Sequence, residues 1–184
     1  MASENTAIIQ IPEALLETAE TRHFEGTLEM AELAAGPDAY MFAAPISWSV
    51  EATNTGDAIL VQGTAKAEAA TQCARCLEDV SYDLEGDIEG YFVIGAEEEA
   101  EAPEDLEGDE FDFLPENRKI DLVPLVVAAL LLEVPLVPLC ADDCKGLCPQ
   151  CGANLNEGDC GCAKQGPDVE KSPFAALKDF DFGE

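Results

Sequence analysis

The sequence predicts an α+β fold: an antiparallel β-sheet meander with one buried helix and a C-terminal, Cys-rich, zinc-ribbon-like module. Three observations predict it. Apolar residues alternate at period two through the middle of the chain, a run near residue 128 is apolar on every side, and six of the eight cysteines fall after residue 139. With 184 residues, 47% of them hydrophobic, the chain has material for one ordinary core and a small module.

The N-terminal part reads as mixed α and β. Ile8 to Ile11 forms a short apolar strand, and Pro12 to Glu17 opens a short helix with Pro12 at its first turn. Phe24, Thr27, Leu28 and Met30 suggest another strand. Met41 to Glu51 reads as one strand in which Ile46, Trp48 and Val50 share a face. Asn54-Thr55-Gly56-Asp57 is a turn signal. Ala58 to Glu68 follows as a strand with Ile59, Val61 and Gly63 on one side. The Cys73–Cys76 segment makes a tight connection, and Asp79 to Ile94 is the next strand, with Val80, Tyr82 and Leu84 alternating with polar residues.

Residues 97–112 break this pattern. Ten of the sixteen are acidic and none is basic, so the block reads as a solvated acidic loop or an arm for a basic partner. A helix is expected over Ile120 to Leu132, capped by Asp121 and carrying Pro124 in its first turn. Leu125 to Leu132 is apolar all round, which predicts a core helix lying across the sheet. Pro135 and Pro138 end it and lead an extended chain into Cys140. The expected division is 1–139 for the α+β domain, 140–164 for the Cys-rich metal module and 165–184 for a tail whose Phe174, Leu177, Phe180 and Phe182 suit a short helix or a segment that folds on binding.

Charge excludes some functions. With 39 acidic and 9 basic side chains the formal net charge is −30, which disfavours extensive contact with nucleic acid or anionic membranes and favours cations, metals or basic proteins as partners. Residues 1–20 lack a positive n-region and a continuous apolar stretch, and the eleven apolar residues between Asp121 and Glu133 are too few to cross a bilayer. The expectation is a soluble, cytoplasmic protein, in which eight cysteines serve as metal ligands rather than disulfides.

The candidate metal ligands are Cys73, Cys76, Cys140, Cys144, Cys148, Cys151, Cys160 and Cys162. Cys73-Ala74-Arg75-Cys76 and Cys148-Pro149-Gln150-Cys151-Gly152 are C-x2-C knuckles, and the second carries the Pro and Gly typical of zinc knuckles. Cys148, Cys151, Cys160 and Cys162 lie within fifteen residues and close a small loop cheaply, which makes them a distal site. Cys73, Cys76, Cys140 and Cys144 then form a proximal site, although Cys144 and Cys148 are interchangeable on spacing alone. Four thiolates suit one structural Zn²⁺ each; an iron–sulfur cluster or redox-active thiols are the alternatives. Two Zn²⁺ on eight thiolates add about −4, so metal does not relieve the acidity.

Catalytic material is scarce. His23 is the single histidine and reads as a surface residue, which leaves almost no material for a Ser-His-Asp triad or a His-based zinc hydrolase site. No Walker A or Rossmann glycine pattern occurs. Arg75 and Lys145 sit inside the cysteine clusters, to donate to or neutralise thiolates, or to make one phosphate or carboxylate contact.

Several of these segments, taken together, resemble the YceD family. They are Cys73-Ala74-Arg75-Cys76-Leu77, Ile120-Asp121-Leu122 at the apolar helix, Val134-Pro135-Leu136-Val137-Pro138-Leu139-Cys140, and the block Asp143 to Asn156 with Cys160 and Cys162 after it. The resemblance covers roughly residues 73–180. It implies a part in accumulation of large-subunit ribosomal RNA without an established enzymatic activity, and supplies no catalytic residue. Charge then makes a basic ribosomal protein or a large-subunit precursor the expected partner. A zinc-ribbon adaptor in transcription or translation, and a metal- or thiol-dependent redox enzyme, are the rival expectations.

Overall fold

The computed structural model describes residues 7–95 and 111–162. Nine strands and one α-helix lie within them. In chain order these are β1 (Ile8–Gln10), a 3-10 turn over Glu13–Leu16, β2 (Thr21–Leu28), β3 (Glu32–Ala35), β4 (Asp38–Phe42), β5 (Ile46–Asn54), β6 (Ala58–Gln72), β7 (Asp79–Val93), β8 (Asp112–Phe113), β9 (Lys119–Asp121) and α1 (Val123–Glu133).

The expected meander is present as β5, β6 and β7, consecutive and antiparallel. β6 is the spine. β7 pairs with it along its whole length, from Ala58 opposite Val93 to Gln72 opposite Asp79. Its other side is shared by two strands: β5 covers Ile59 to Lys66, and β4 covers Ala69 and Ala70. β2 extends the sheet beyond β5, and β3 extends it beyond β4. Among the described residues only the short β8 runs parallel to its neighbour, β7.

Two local readings are corrected. Met41 to Glu51 is not one strand; it breaks between Phe42 and Ile46. Pro45 lacks a backbone donor and restricts the residue before it, so the ladder cannot run through. The alternation beyond the break holds, with Ile46, Trp48 and Val50 all buried. Asp121 is not the helix N-cap. It lies in β9, where Ile120 pairs with Ile9 of β1, and Leu122 takes the cap position. Its carboxylate still accepts the Val123 N–H at 2.9 Å, which meets one of the donors left free at the helix start.

Helix α1 lies against β7 and β6 as expected. Gly86 is what lets it come so close, because a Cβ there would stand 2.3 Å from the Ala129 carbonyl oxygen. Burial is one-sided, however. Val126, Ala129 and Leu130 are buried, whereas Leu131 and Leu132 are exposed. The eight-residue apolar stretch therefore presents one face to the sheet and leaves another uncovered. No helix among the described residues is long and apolar enough to cross a membrane. The acidic stretch 97–112, save its last two residues, and the tail 165–184 lie outside the described residues.

After α1 the chain has no regular structure and bends at Val134, Leu136 and Val137 before it reaches Cys140, where the sequence suggested an extended run. Its backbone is fixed by two tyrosines from different strands. Tyr40 donates its hydroxyl hydrogen to Pro135 O at 3.1 Å. The Tyr82 hydroxyl is paired with both backbone groups of Leu139, at 2.9 Å to the carbonyl and 2.8 Å from the N–H. Leu136 is fully exposed and Val137 is 57% exposed. Residues 140–162 follow as turns with one isolated bridge, Leu147 to Asn154. The strand ladder of a zinc ribbon is not seen among the described residues; what they share with one is the knuckle.

Candidate metal centres

The first knuckle is the connection between β6 and β7. Cys73 follows the last residue of β6, so the long antiparallel pair delivers Cys73 and Cys76 as a rigid hairpin end. The Cys73 N–H donates to Glu78 O at 2.8 Å, and the Leu77 N–H donates back to Cys73 O at 2.9 Å. The second knuckle repeats this bonding. Cys148 N–H donates to Ala153 O at 2.8 Å, and Gly152 N–H to Cys148 O at 2.8 Å. Both knuckles require a left-handed residue after their second cysteine. Gly152 meets this at φ +73°, but the first knuckle has Leu77 there at φ +62°.

The polypeptide between them brings the remaining ligands in. Ala74 N–H donates to Pro138 O at 2.8 Å, which lays the post-helix segment along the first knuckle just before Cys140. Leu147 N–H donates to Arg75 O at 3.1 Å and ties the two knuckles together. As a result the eight sulfurs fall into two groups. Cys73, Cys76, Cys140 and Cys144 lie with their Sγ atoms within 4.8 Å of one another, and so do Cys148, Cys151, Cys160 and Cys162. Cys144 and Cys148, which spacing alone left interchangeable, stand in the proximal and the distal group respectively.

The spacing suits a metal better than a disulfide. Cys76 and Cys140 are 3.5 Å apart and Cys73 and Cys144 3.8 Å apart, and all eight thiols are free. A disulfide needs about 2.05 Å. A tetrahedral ion about 2.3 Å from each of four sulfurs spaces them by about 3.8 Å. Each group can therefore hold one metal ion on four sulfurs. Cys73, Cys76 and Cys144 are buried, with Leu139 and Leu147 packed on them, while Cys140 is exposed, so the proximal group is covered on all but one sulfur. In the distal group only Cys148 is buried.

Hydrogen bonds to sulfur set the order in which the thiols ionise. Burial works to raise Cys73, but the backbone groups of Cys76, Arg75 and Cys140 outweigh it and lower the thiol to about 6. The backbone groups of Cys151 and Gln150 bring Cys148 down to about 6 as well. Cys144 is lowered chiefly by the Asn156 side chain. Crowding by neighbouring sulfurs does the opposite: Cys144 and Cys76 push Cys140 up to about 12, and Cys151 and Cys160 push Cys162 up to about 12. Each group thus has at least one sulfur ready to receive a cation at neutral pH, Cys73 in the proximal group and Cys148 in the distal one.

The residues flagged beside the cysteines take other parts. The Arg75 guanidinium donates from Nη1 to Cys144 O at 2.9 Å and bridges the two segments of the proximal group, while its backbone is among the groups that lower Cys73. Lys145 contributes its backbone N–H, held by Asn156 Oδ1 at 2.8 Å, while the residue itself is exposed. His23 is a surface residue, as expected, 3.7 Å from Glu25. Sequence reasoning missed Tyr82, Asn154 and Asn156. Asn156 Nδ2 donates to Cys144 Sγ at 3.3 Å, and Asn154 Nδ2 to Glu78 Oε1 at 2.8 Å. An Asn-x-Asn pair between two metal-ligand pairs was the available signal.

Comparison with known proteins places this architecture. The family model described as "Large ribosomal RNA subunit accumulation protein YceD" matches residues 61–181. The chain belongs to the YceD family. The match takes in both knuckles, the helix and every cysteine. An uncharacterized protein of Mycobacterium tuberculosis is 32% identical over 144 residues, 78% of this chain and 65% of that relative. One of Mycobacterium leprae is 30% identical over 115 residues, 62% of this chain and 51% of the relative. The chloroplastic protein of Arabidopsis thaliana named large ribosomal RNA subunit accumulation protein YCED homolog 1 is 34% identical over 71 residues, 39% of this chain and 22% of the relative. The chain spans 65% of the length of the Mycobacterium tuberculosis relative. No solved structure matches.

Proposed function

We propose that this member of the YceD family is a non-enzymatic factor in large ribosomal subunit biogenesis. It supports accumulation of the large-subunit rRNA in the cytoplasm by binding a basic ribosomal protein or an assembly intermediate. Two structural Zn²⁺ hold its C-terminal part, one on Cys73, Cys76, Cys140 and Cys144 and one on Cys148, Cys151, Cys160 and Cys162. The observation that carries this reading is the closure of all eight sulfurs into two four-donor groups. Four protein donors leave a tetrahedral ion no position for water or substrate, which is the mark of scaffold rather than catalysis. A cluster would need its own atoms between the sulfurs, whereas pairs at 3.5 and 3.8 Å suit one shared ion.

The metals' task is then mechanical. The proximal ion clips the post-helix segment to the β6–β7 hairpin, and folding of that part becomes metal-dependent. What it holds in place is a surface: Leu132 is 84% exposed, Leu136 fully exposed and Val137 57% exposed, on a chain of net charge −30. An apolar strip on an acidic body suits a basic protein that buries an apolar residue on it, and charge steers the encounter.

The test has two arms. Elemental analysis with native mass spectrometry of the purified chain should find two zincs and a colourless protein; a coloured cluster or a single ion contradicts the scaffold. Pull-downs with ribosomal proteins at low and high ionic strength should recover a basic protein that salt releases, and depletion should lower large-subunit rRNA. Recovery of rRNA without any basic protein overturns the mechanism. Normal large-subunit precursors after depletion favour the adaptor reading instead.

A further inference from the structure

One side chain of the distal loop reaches a sulfur of the proximal group. Asn156 belongs to the loop between Cys151 and Cys160, which ligation at the distal group would close. Its amide nevertheless serves the proximal one: Nδ2 donates to Cys144 Sγ at 3.3 Å. The other end of the amide is fixed by the Lys145 N–H, which donates to Oδ1 at 2.8 Å. The loop is braced on both sides of this contact. Asn154 Oδ1 accepts the Asn156 N–H at 3.0 Å, Asn154 Nδ2 reaches Glu78 at the end of the first knuckle, and Leu155 N–H donates to Gly146 O at 2.9 Å.

We propose that Asn156 is a positioning residue that couples the two centres, so that the proximal ion is held more tightly when the distal ion is in place. The inference rests on the metal reading above. Its physical basis is that a thiolate bound to a cation keeps excess charge on sulfur, and an N–H aimed at that sulfur stabilises the bound state. Distal ligation closes the loop that carries the amide. Without it the loop is held only by its hydrogen bonds to Lys145, Gly146 and Glu78, and the donor to Cys144 is less firmly placed. Linkage makes the effect reciprocal, so an ion at the proximal group tightens the distal one by the same factor.

Loss of such a supporting donor lowers metal affinity by about 10–100-fold. The experiment uses the full chain loaded with Zn²⁺ and challenged with a competing chelator. Native mass spectrometry counts the ions retained, and alkylation with peptide mapping identifies the thiols released. Asn156→Ala should lose the proximal ion about 10–100 times more readily than the unaltered chain. Asn156→Asp, which keeps the acceptor for Lys145 and lacks the donor to sulfur, should do the same. Cys160→Ser with Cys162→Ser, which disables the distal site, should weaken the proximal site to a similar degree, and adding Asn156→Ala to it should cause little further loss. Unchanged retention in Asn156→Ala, full retention in Asn156→Asp, or additive losses in the combined variant would each overturn the coupling. Fewer than two ions on the unaltered chain would overturn the metal reading itself, before any variant is compared.

Discussion

Replacing Gly86 by Ala tests whether the helix is seated where the site requires it. The new Cβ would lie 2.3 Å from the Ala129 carbonyl oxygen, 2.6 Å from its carbon and 3.1 Å from its Cβ. Non-bonded carbon contacts settle at about 3.5–4.0 Å, so α1 has to retreat by roughly 1 Å. The obstacle is helix backbone, which cannot swing aside as a flexible side chain would. That selects the upper part of the overpacking range, about 3 kcal/mol. Removing a strand glycine returns about 0.5–1 kcal/mol of chain entropy. The net loss is about 2 kcal/mol, which lowers the melting temperature by about 4–8 °C for a chain of this size. Thermal unfolding by circular dichroism at fixed zinc content reads it directly. Asp87→Ala, one residue away on the exposed side of β7, is the control and should stay within about 0.5 kcal/mol. Equal melting of Gly86→Ala and the unaltered chain would refute the seating of α1 on β7.

Three further outcomes follow from the centres themselves. Tyr82→Phe strands the N–H and C=O of Leu139 and should cost about 1–3 kcal/mol in urea unfolding, with chelator release accelerated first and most at the proximal ion; release equal at both sites would contradict it. Leu77→Gly relieves a left-handed backbone worth about 1–2 kcal/mol against about 0.5–1 kcal/mol of glycine entropy, and Leu77 is 58% exposed. Its melting temperature should rise slightly, and a fall would show that the side chain is packing against something. Proton release on Zn²⁺ uptake by the metal-free chain should depend on pH, because Cys73 and Cys148 are lowered to about 6 and are already thiolates at pH 7.5. Fewer than four protons per ion should leave at pH 7.5 and close to four at pH 5, measured with an indicator dye; a pH-independent count would contradict the thiolate assignment. The same lowered thiols stabilise the metal-free fold above their ordinary value of 9, and that contribution fades as pH falls through 6.

The middle of the sheet was legible because β5, β6 and β7 each bury one face, and period-two alternation reports that directly. The start of β7 at Asp79 and the turn at Asn54 were legible too, the turn from its Asn and Gly, whereas β6 runs past its expected end at Glu68 to Gln72. Three kinds of feature were not. Pairing of β1 with β9 joins residues more than a hundred positions apart, and nothing local in Ile120 or Asp121 announces it. The break at Pro45 was misjudged because alternation resumes in step after it. The one-sided burial of α1 could not be read from a helix with no polar face. At the site, the cysteines announced themselves, but Tyr82 and Asn156 act through geometry that residue spacing does not encode.

That division has a physical root. Sulfur ligation is short-ranged and chemically restricted, so eight thiols nearly specify their own grouping once the backbone can turn. The support around them is made of ordinary hydrogen bonds, available to any Tyr or Asn. The post-helix segment shows why both are needed. Tyr40 and Tyr82 hold it through its backbone, which leaves the side chains of Leu136 and Val137 free to face outward. The proximal sulfurs then fasten its far end at Cys140. A segment gripped only by its side chains would bury them and present no strip. Gripped by main chain and by the proposed metal, it can display apolar residues on an acidic body without collapsing onto the core, and this arrangement is what the proposed partner would meet.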